Sequence, residues 1–237
     1  MQAGPSGEQR EVRGTRHERR IDRRIGVLVR ILFLAMLPFI RFDIRGGARA
    51  RTATNLIIVG NHRSMLDFLV GLHTARLFGR YPRVLLAKQY ARGRWMGPIM
   101  RWIGAIPVPS GDDRGDALDD GITALLRGLS TVVMPEGRLH RDSDDRLSLG
   151  EGRTGVSRLA VGSGVPVLAA AVLGADRAWP PDRRPHLNPF RRRTVVIRVA
   201  DDPLALGGRD HRANTDLVMA AIGGQLARAA RAHPELL

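Results

Sequence analysis

The sequence predicts an α/β fold: a layered domain with a mixed, largely parallel sheet flanked by helices. Short apolar runs rich in β-branched residues, at 56–60, 83–87, 131–134, 165–172 and 194–199, read as buried strands. Between them lie stretches whose apolar residues recur at spacings of three and four, the helical period. Glycines and polar clusters mark most of the changes from one pattern to the other. No G-x-G-x-x-G follows the first strand and no G-x-x-x-x-G-K-[ST] occurs, so nucleotide-binding machinery is not supported.

Taken in order, residues 1–18 mix Gln, Gly, Pro, Glu and Arg and are expected to form a disordered basic tail. Residues 19–41 are expected to form a separate helix. Arg19, Arg20, Arg23 and Arg24 lead into a 16-residue apolar stretch, 25–40, broken by Arg30, bent at Pro38 and closed by Arg41. A bilayer span needs about 20 predominantly apolar residues, and no small-x-small site follows to mark a cleaved signal peptide. The stretch therefore reads best as a helix lying on a membrane surface, its arginines on anionic headgroups. A buried helix of the domain and a true span remain the alternatives.

The main domain is expected over 42–237. Phe42 to Ile44 reads as a short edge strand, and after the 56–60 strand a helix is expected over 65–77. Residues 89–103 are helical in outline, with Trp95, Met96, Ile99, Met100 and Trp102 as an apolar surface and Gly97-Pro98 as a kink. Pro107 makes the 105–108 strand an edge or a bulge. Leu118, Ile122, Leu125 and Leu126 mark an amphipathic helix with Gly128 as its cap. A polar loop covers 141–153, and Val156, Leu159 and Ala160 form a helical face ended by Gly162 or Gly164. Residues 179–193, rich in Pro and Arg, read as an irregular loop, and a last helix is expected over about 210–229.

A formal charge of +15 with Lys88 as the only lysine favours anionic partners such as acidic lipid or phosphorylated substrates. The arginines lack interleaved aromatics and helix-turn-helix spacing, so no nucleic acid is expected. With no cysteine there is no disulfide, thiolate metal site or cysteine nucleophile. The seven histidines show no ligand spacing, so no metal is indicated.

The chemistry is concentrated in Asn61-His62-Arg63-Ser64-Met65-Leu66-Asp67, at the turn from the 56–60 strand into the next helix. Asp67 can fold back onto one imidazole nitrogen of His62, fixing its tautomer and leaving the other free to take a proton. The same pair also reads as an ordinary capping pair. Ser64 can cap the helix, and no G-x-S-x-G turn marks it as a nucleophile. Met134-Pro135-Glu136-Gly137 follows the 131–134 strand in the same way, so both turns are expected at one carboxyl edge of the sheet, where ligands bind. Arg138, Arg141 and Arg153 lie close to it in sequence, and Arg114 follows the 105–108 strand.

Together these stretches resemble the glycerolipid acyltransferase family, whose bacterial type case is 1-acylglycerol-3-phosphate acyltransferase. The 61–67 stretch matches the family block N-H-x-S-x-x-D in full, and Met134-Pro135-Glu136-Gly137 matches F-P-E-G with Met for Phe. Val165-Pro166-Val167-Leu168-Ala169 resembles V-P-I-V-P without its second proline. The resemblance covers about residues 25–200 and implies an O-acyltransferase. It would move a fatty acyl group from acyl-CoA or acyl-carrier protein to the free hydroxyl of a lysophospholipid, nominally 1-acyl-sn-glycerol-3-phosphate, with no cofactor. It further implies His62 as general base, Asp67 as its orienting partner, and Asn61, Ser64, Glu136, Gly137, Arg138 and Arg114 in substrate binding. The implied setting is the cytoplasmic face of the cell membrane, as a peripheral or monotopic protein. The family usually writes F-P-E-G-T-R-S, whereas here Arg138 comes one position early and the Thr and Ser are absent. The second block, Gly104 to Ser110, lacks its Arg. These departures leave open an acyltransferase of the same family with another lipid or glycolipid acceptor; a non-catalytic lipid-binding protein is the remaining alternative.

Overall fold

The computed structural model describes residues 16–48, 50, 53, 55–77, 82–87, 97–98, 102, 105–108, 114–141, 145–181 and 183–237. Its elements run α1 (Arg16–Met36), β1 (Ile40–Gly46), β2 (Ile57–Val59), α2 (Leu66–Leu77), β3 (Arg83–Ala87), β4 (Ile106–Val108) and α3 (Arg114–Leu126). There follow β5 (Thr131–Val133), α4 (Gly155–Ser163), β6 (Val167–Leu173), α5 (Ala175–Ala178), β7 (Arg193–Val199), α6 (His211–Ala232) and a closing 3-10 turn (Pro234–Leu236).

The strands form one sheet in the order β1-β7-β6-β2-β5-β3-β4. β2 runs parallel to β5 and β6, and β3 runs parallel to β5 and β4. β7 is antiparallel to β6, and β1 is parallel to β7. The sheet is therefore mixed and largely parallel, as expected, with Pro107 on an edge strand. The reversal at β7 brings the amino ends of β1 and β7 to the edge where β2, β5 and β6 have their carboxyl ends.

Both faces of the sheet are covered, which is why its central strands are apolar throughout instead of alternating with polar residues. Ile57, Val59, Val167, Ala169, Ala171, Leu173 and Val196 point to one face, where Leu125 of α3, Val156 and Leu159 of α4, and Val218, Ile222 and Leu226 of α6 cover them. Ile58, Leu168, Ala170, Val172, Val195 and Ile197 point to the other, under Leu66 and Val70 of α2 and Ala175 and Ala178 of α5. The period of two along each strand thus sorts one sequence into two cores. α3 ends where expected: Gly128 takes φ +82°, and the Leu129 N–H closes the turn onto the Ala124 carbonyl at 3.1 Å. Of the two glycines offered for the end of α4, Gly164 is the cap, its N–H on the Ala160 carbonyl at 2.8 Å. Gly162 instead lies inside the helix, where a Cβ would come 2.6 Å from Ile122 Cδ1 of α3.

The first helix starts at Arg16, so Arg16 to Glu18 of the expected tail are helical; the rest of that tail lies outside the described residues. Most of the expected 89–103 helix lies outside them too, Gly97, Pro98 and Trp102 excepted. α1 packs one stripe, Ile25 and Val29, against Leu72 of α2, and Phe33 stacks on Phe42 and His73. Asp22 pairs with the buried Arg83 of β3 at 2.7 Å. The opposite stripe stays exposed, with Val27, Ile31, Leu34 and Leu37 each more than a third accessible. Among the described residues no helix is long and apolar enough to cross a membrane. The strand after it is longer than expected, seven residues instead of three, because β7 supplies a full parallel partner.

A charged network closes the far end of the domain. Asp43 of β1 accepts from Arg198 Nη2 of β7 at 2.7 Å, from His233 at 2.9 Å and from Arg45 at 2.9 Å. Partial burial pushes the Asp43 carboxyl up, but these three donors outweigh it and hold the group below its ordinary range. His233 is drawn above its ordinary value of 6.5 by Glu235 and then Asp43. A histidine raised in the folded state stabilises fully below its unfolded value and loses that contribution as pH rises through the folded one. Replacing His233 by Ala should therefore lower stability more at about pH 5.5 than at about pH 9. Urea denaturation of both proteins at the two pH values measures the difference, and an equal loss at both would contradict the charge-linked role.

Candidate active site

Because β2 and β5 pair in parallel with Ile57 opposite Thr131 and Val59 opposite Val133, the chain leaves both strands at the same level. The 60–65 and 134–137 turns emerge side by side at the carboxyl edge. Asn61 fastens the first turn. It is wholly buried, donates Nδ2–H to the Val172 carbonyl at 2.9 Å and accepts the Val172 N–H on Oδ1 at 2.8 Å. Its amide continues the ladder toward β6 after the backbone has turned away. Ser64 is also wholly buried: its hydroxyl accepts the Leu66 N–H at 3.0 Å and donates to the Trp179 carbonyl at 2.7 Å. Both side chains are expected in substrate binding; in this structure each satisfies backbone groups that would otherwise be buried without partners.

Asp67, in the first turn of α2, is 1 % exposed and folds back over the start of the helix. Its Oδ2 accepts the N–H groups of Arg63 at 2.6 Å and Ser64 at 2.7 Å, and lies 3.4 Å from His62 Nδ1. Its Oδ1 is buried with no hydrogen-bond partner among the described residues. Burial pushes the carboxyl up, and His62 and the two backbone N–H groups pull it back. His62 keeps 22 % of its side chain accessible, so this ring alone of the pair reaches the surface. Its Nε2 has no partner among the described residues. A ring held at Nδ1 by a buried carboxylate and open at Nε2 can accept a proton from an incoming group.

The second turn is joined to the first by Glu136. This side chain is 2 % exposed; Oε1 accepts the His62 N–H at 3.0 Å and Oε2 accepts the Gly150 N–H at 3.0 Å. At Gly150 a Cβ would come 2.5 Å from that Oε2, so only glycine permits the approach. Gly137, at φ +66°, turns the chain outward. The rest of the 136–153 loop wraps the first turn: His140 N–H donates to the His62 carbonyl at 2.7 Å, and Arg63 Nη1 to the Ser148 carbonyl at 3.0 Å. It is backed by α6, since a Cβ at Gly152 would come 2.6 Å from Met219 Cγ, and Arg212 reaches Glu151 at 3.2 Å.

Arg138 is exposed beside Gly137, and so is Arg153, whose stem lies across Gly137 close enough that a Cβ there would meet its Cδ at 2.9 Å. Neither guanidinium forms a hydrogen bond or ion pair among the described residues. Arg114 opens α3 on the far side of β5, and its side chain lies outside the described features. Among the described residues, no three His, Cys, Asp or Glu side chains are grouped to hold a metal. The sequence signalled His62, Asp67 and Glu136 and placed Arg153 near the second turn; it did not show that the Gly150 N–H meets Glu136 or that Arg153 folds back over Gly137.

The family model described as acyltransferase matches residues 41–173, more than half of the chain and the whole of both turns. The chain belongs to that family. This acyltransferase is 26 % identical over 170 residues to the chloroplastic 1-acyl-sn-glycerol-3-phosphate acyltransferase of Brassica napus, a match covering 69 % of this chain. It spans 46 % of that relative's length. Its fold is that of the 1-acyl-sn-glycerophosphate acyltransferase PlsC from Thermotoga maritima, with a TM-score of 0.69 over 90 % of this chain and 82 % of that one, at 17 % identity.

The Glu136 bridge yields a direct expectation. Replacing Glu136 by Gln keeps the shape but points an N–H₂ group at one of two N–H donors, leaving a buried donor unsatisfied at a cost of about 1–3 kcal/mol. Chemical denaturation should show that loss in the acyltransferase; unchanged stability would mean that the bridge contributes nothing.

Proposed function

We propose that this acyltransferase esterifies the free hydroxyl of a lysophospholipid, nominally 1-acyl-sn-glycerol-3-phosphate, using acyl-CoA or acyl-carrier protein. The observation that carries the reading is the His62–Asp67 pair: one ring nitrogen held at 3.4 Å by a buried carboxylate, with the ring exposed beside the Glu136 turn. His62 Nε2 takes the hydroxyl proton as that oxygen attacks the thioester carbonyl. Asp67 holds Nδ1–H and stabilises the imidazolium. The tetrahedral intermediate collapses, the carbon–sulfur bond breaks, and His62 returns the proton to the leaving thiolate. The products are an ester and a free thiol, no covalent enzyme intermediate forms, and no cofactor takes part.

Arg138 and Arg153, both exposed next to Gly137 and without a side-chain partner among the described residues, are the cations proposed for the acceptor phosphate. Support for the lipid class comes from the exposed apolar residues of α1 and the turn after it, Val27, Ile31, Leu34 and Leu37, on a helix that also exposes Arg23 and Arg30. Such a face suits a helix lying in the interface of an anionic bilayer. The proposed setting is the cytoplasmic face of the cell membrane, as a monotopic protein. A second reading, a different lipid or glycolipid acceptor, is favoured by one observation: the residues after Gly137 are Arg138-Leu139-His140 in place of the family's Thr-Arg-Ser.

Replacing His62 by Ala should lower thioester-dependent acyl transfer by at least about 100-fold while vesicle binding persists. Turnover within a few-fold of the parent would exclude His62 as the base. Replacing Arg138 or Arg153 by Gln should raise KM for a phosphorylated acceptor about tenfold with kcat little changed, since uniform binding is what is lost. A panel of lysophosphatidic acid and uncharged lipid acceptors decides between the two readings: a strong preference for an uncharged acceptor would replace the first by the second.

A further inference from the structure

The 179–193 loop is left unexplained by the site. Its tip is a tight turn in which Asn188 accepts the Phe190 N–H on Oδ1 at 2.9 Å and the Arg191 N–H on its carbonyl at 3.2 Å. This turn holds Phe190 out at 95 % exposure, with Leu187 beside it at 51 %. In the same loop Arg183, Arg184 and Arg191 are exposed, and none of their guanidiniums forms a hydrogen bond or ion pair among the described residues. An aromatic tip presented by a turn, in a loop that also carries exposed arginines, is complementary to an interface with apolar chains below and anionic groups above.

The position of the loop gives a second, independent argument. Arg193 N–H donates to the Phe39 carbonyl at 2.9 Å and Arg192 Nη2 to the Ile40 carbonyl at 3.1 Å, so the loop enters β7 beside the end of the α1 segment. Ile40 is opposite Arg193 in a parallel pair, which puts Leu37 and Phe190, each three residues earlier, beyond the same end of the sheet. Because β7 runs against β6, that end is also the edge from which the His62 and Glu136 turns emerge.

We infer that the 183–193 loop is a second membrane-inserting element. Phe190 and Leu187 enter an anionic bilayer and Arg183, Arg184 and Arg191 lie on its phosphates, alongside the apolar stripe of α1. The inference deepens the membrane reading of α1 and rests on it. Two contacts define a plane where one helix leaves rotation about its own axis free, and this plane holds the site edge against the lipid.

The test uses the full chain with vesicles of phosphatidylcholine alone and of phosphatidylcholine mixed equally with phosphatidylglycerol. Phe190→Ser combined with Leu187→Ser should reduce partitioning about tenfold on the mixed vesicles. Gln at positions 183, 184 and 191 should reduce it on mixed vesicles only. Neither set should alter transfer to a water-soluble short-chain acceptor. Because the chain has no cysteine, Phe190→Cys can carry a single environment-sensitive fluorophore, whose emission should shift to the blue on mixed vesicles. Ile31→Ser with Leu34→Ser tests α1 separately. Loss of partitioning in the α1 variant, with both loop variants and the fluorophore unaffected, overturns the loop proposal and leaves the α1 reading standing. The reverse pattern removes the α1 reading and with it the two-contact arrangement, and so overturns the proposal as stated. No binding by the parent chain overturns both. A loop variant that changes oligomeric state by light scattering but not partitioning assigns the tip to a second copy and overturns the proposal.

Discussion

One buried carboxylate couples the two halves of the site. Glu136 stands between two backbone N–H groups from segments far apart in sequence, His62 and Gly150, and is almost wholly removed from water. A buried acid of this kind is tolerated only when its oxygens are met by donors, so burial and loop position must be achieved together. β2 and β5 bring the first donor by pairing in register. The second comes only when the loop after Gly137 returns to the sheet edge, and its glycine is what lets the backbone approach. The described residues of the 136–153 loop are irregular in secondary structure and yet tied to the first turn at several points.

The first turn follows a different logic. Asp67 uses one oxygen for three contacts and leaves the other buried and unmatched. A surface carboxylate would be hydrated and indifferent to where the histidine ring sits. Here, desolvation strengthens the attraction between Asp67 and a charged His62, while the two N–H groups keep the carboxylate in place whatever the state of the ring. Position is thus set by the backbone, and the electrostatic interaction is free to vary with the proton on His62.

Much of this was legible in the sequence. The alternation of β-branched runs with helical spacing identified the layered α/β fold, and strand–turn–helix punctuation put Asp67 and His62 at a helix start. Pro107 identified an edge strand, and Gly128 a cap. What was not legible depends on contacts between distant segments. The length of β1 is set by its pairing with β7, which the two apolar positions Phe42 and Ile44 do not announce. Asn61 and Ser64 look like polar site residues in the string, and only the position of β6 and Trp179 shows that they close the backbone. Arg153 is named by its nearness in sequence to Glu136, but nothing local shows that its stem crosses Gly137 or that Gly150 meets the Glu136 carboxylate. Residues of the site that act through their own chemistry were visible; those that act by shape or reach were not.

The end of the family match at Leu173 is not an end of the folding unit. β7 fills one side of β6, and α6 covers the core and presses Met219 and Thr215 against Gly152 of the loop that meets Glu136. The part of the chain beyond the family match therefore sits behind the loop that carries part of the site. Any side chain at position 152 would press on Met219 and Thr215, so the helix beyond the family match sets how close the loop beneath it can lie and what that loop can carry there.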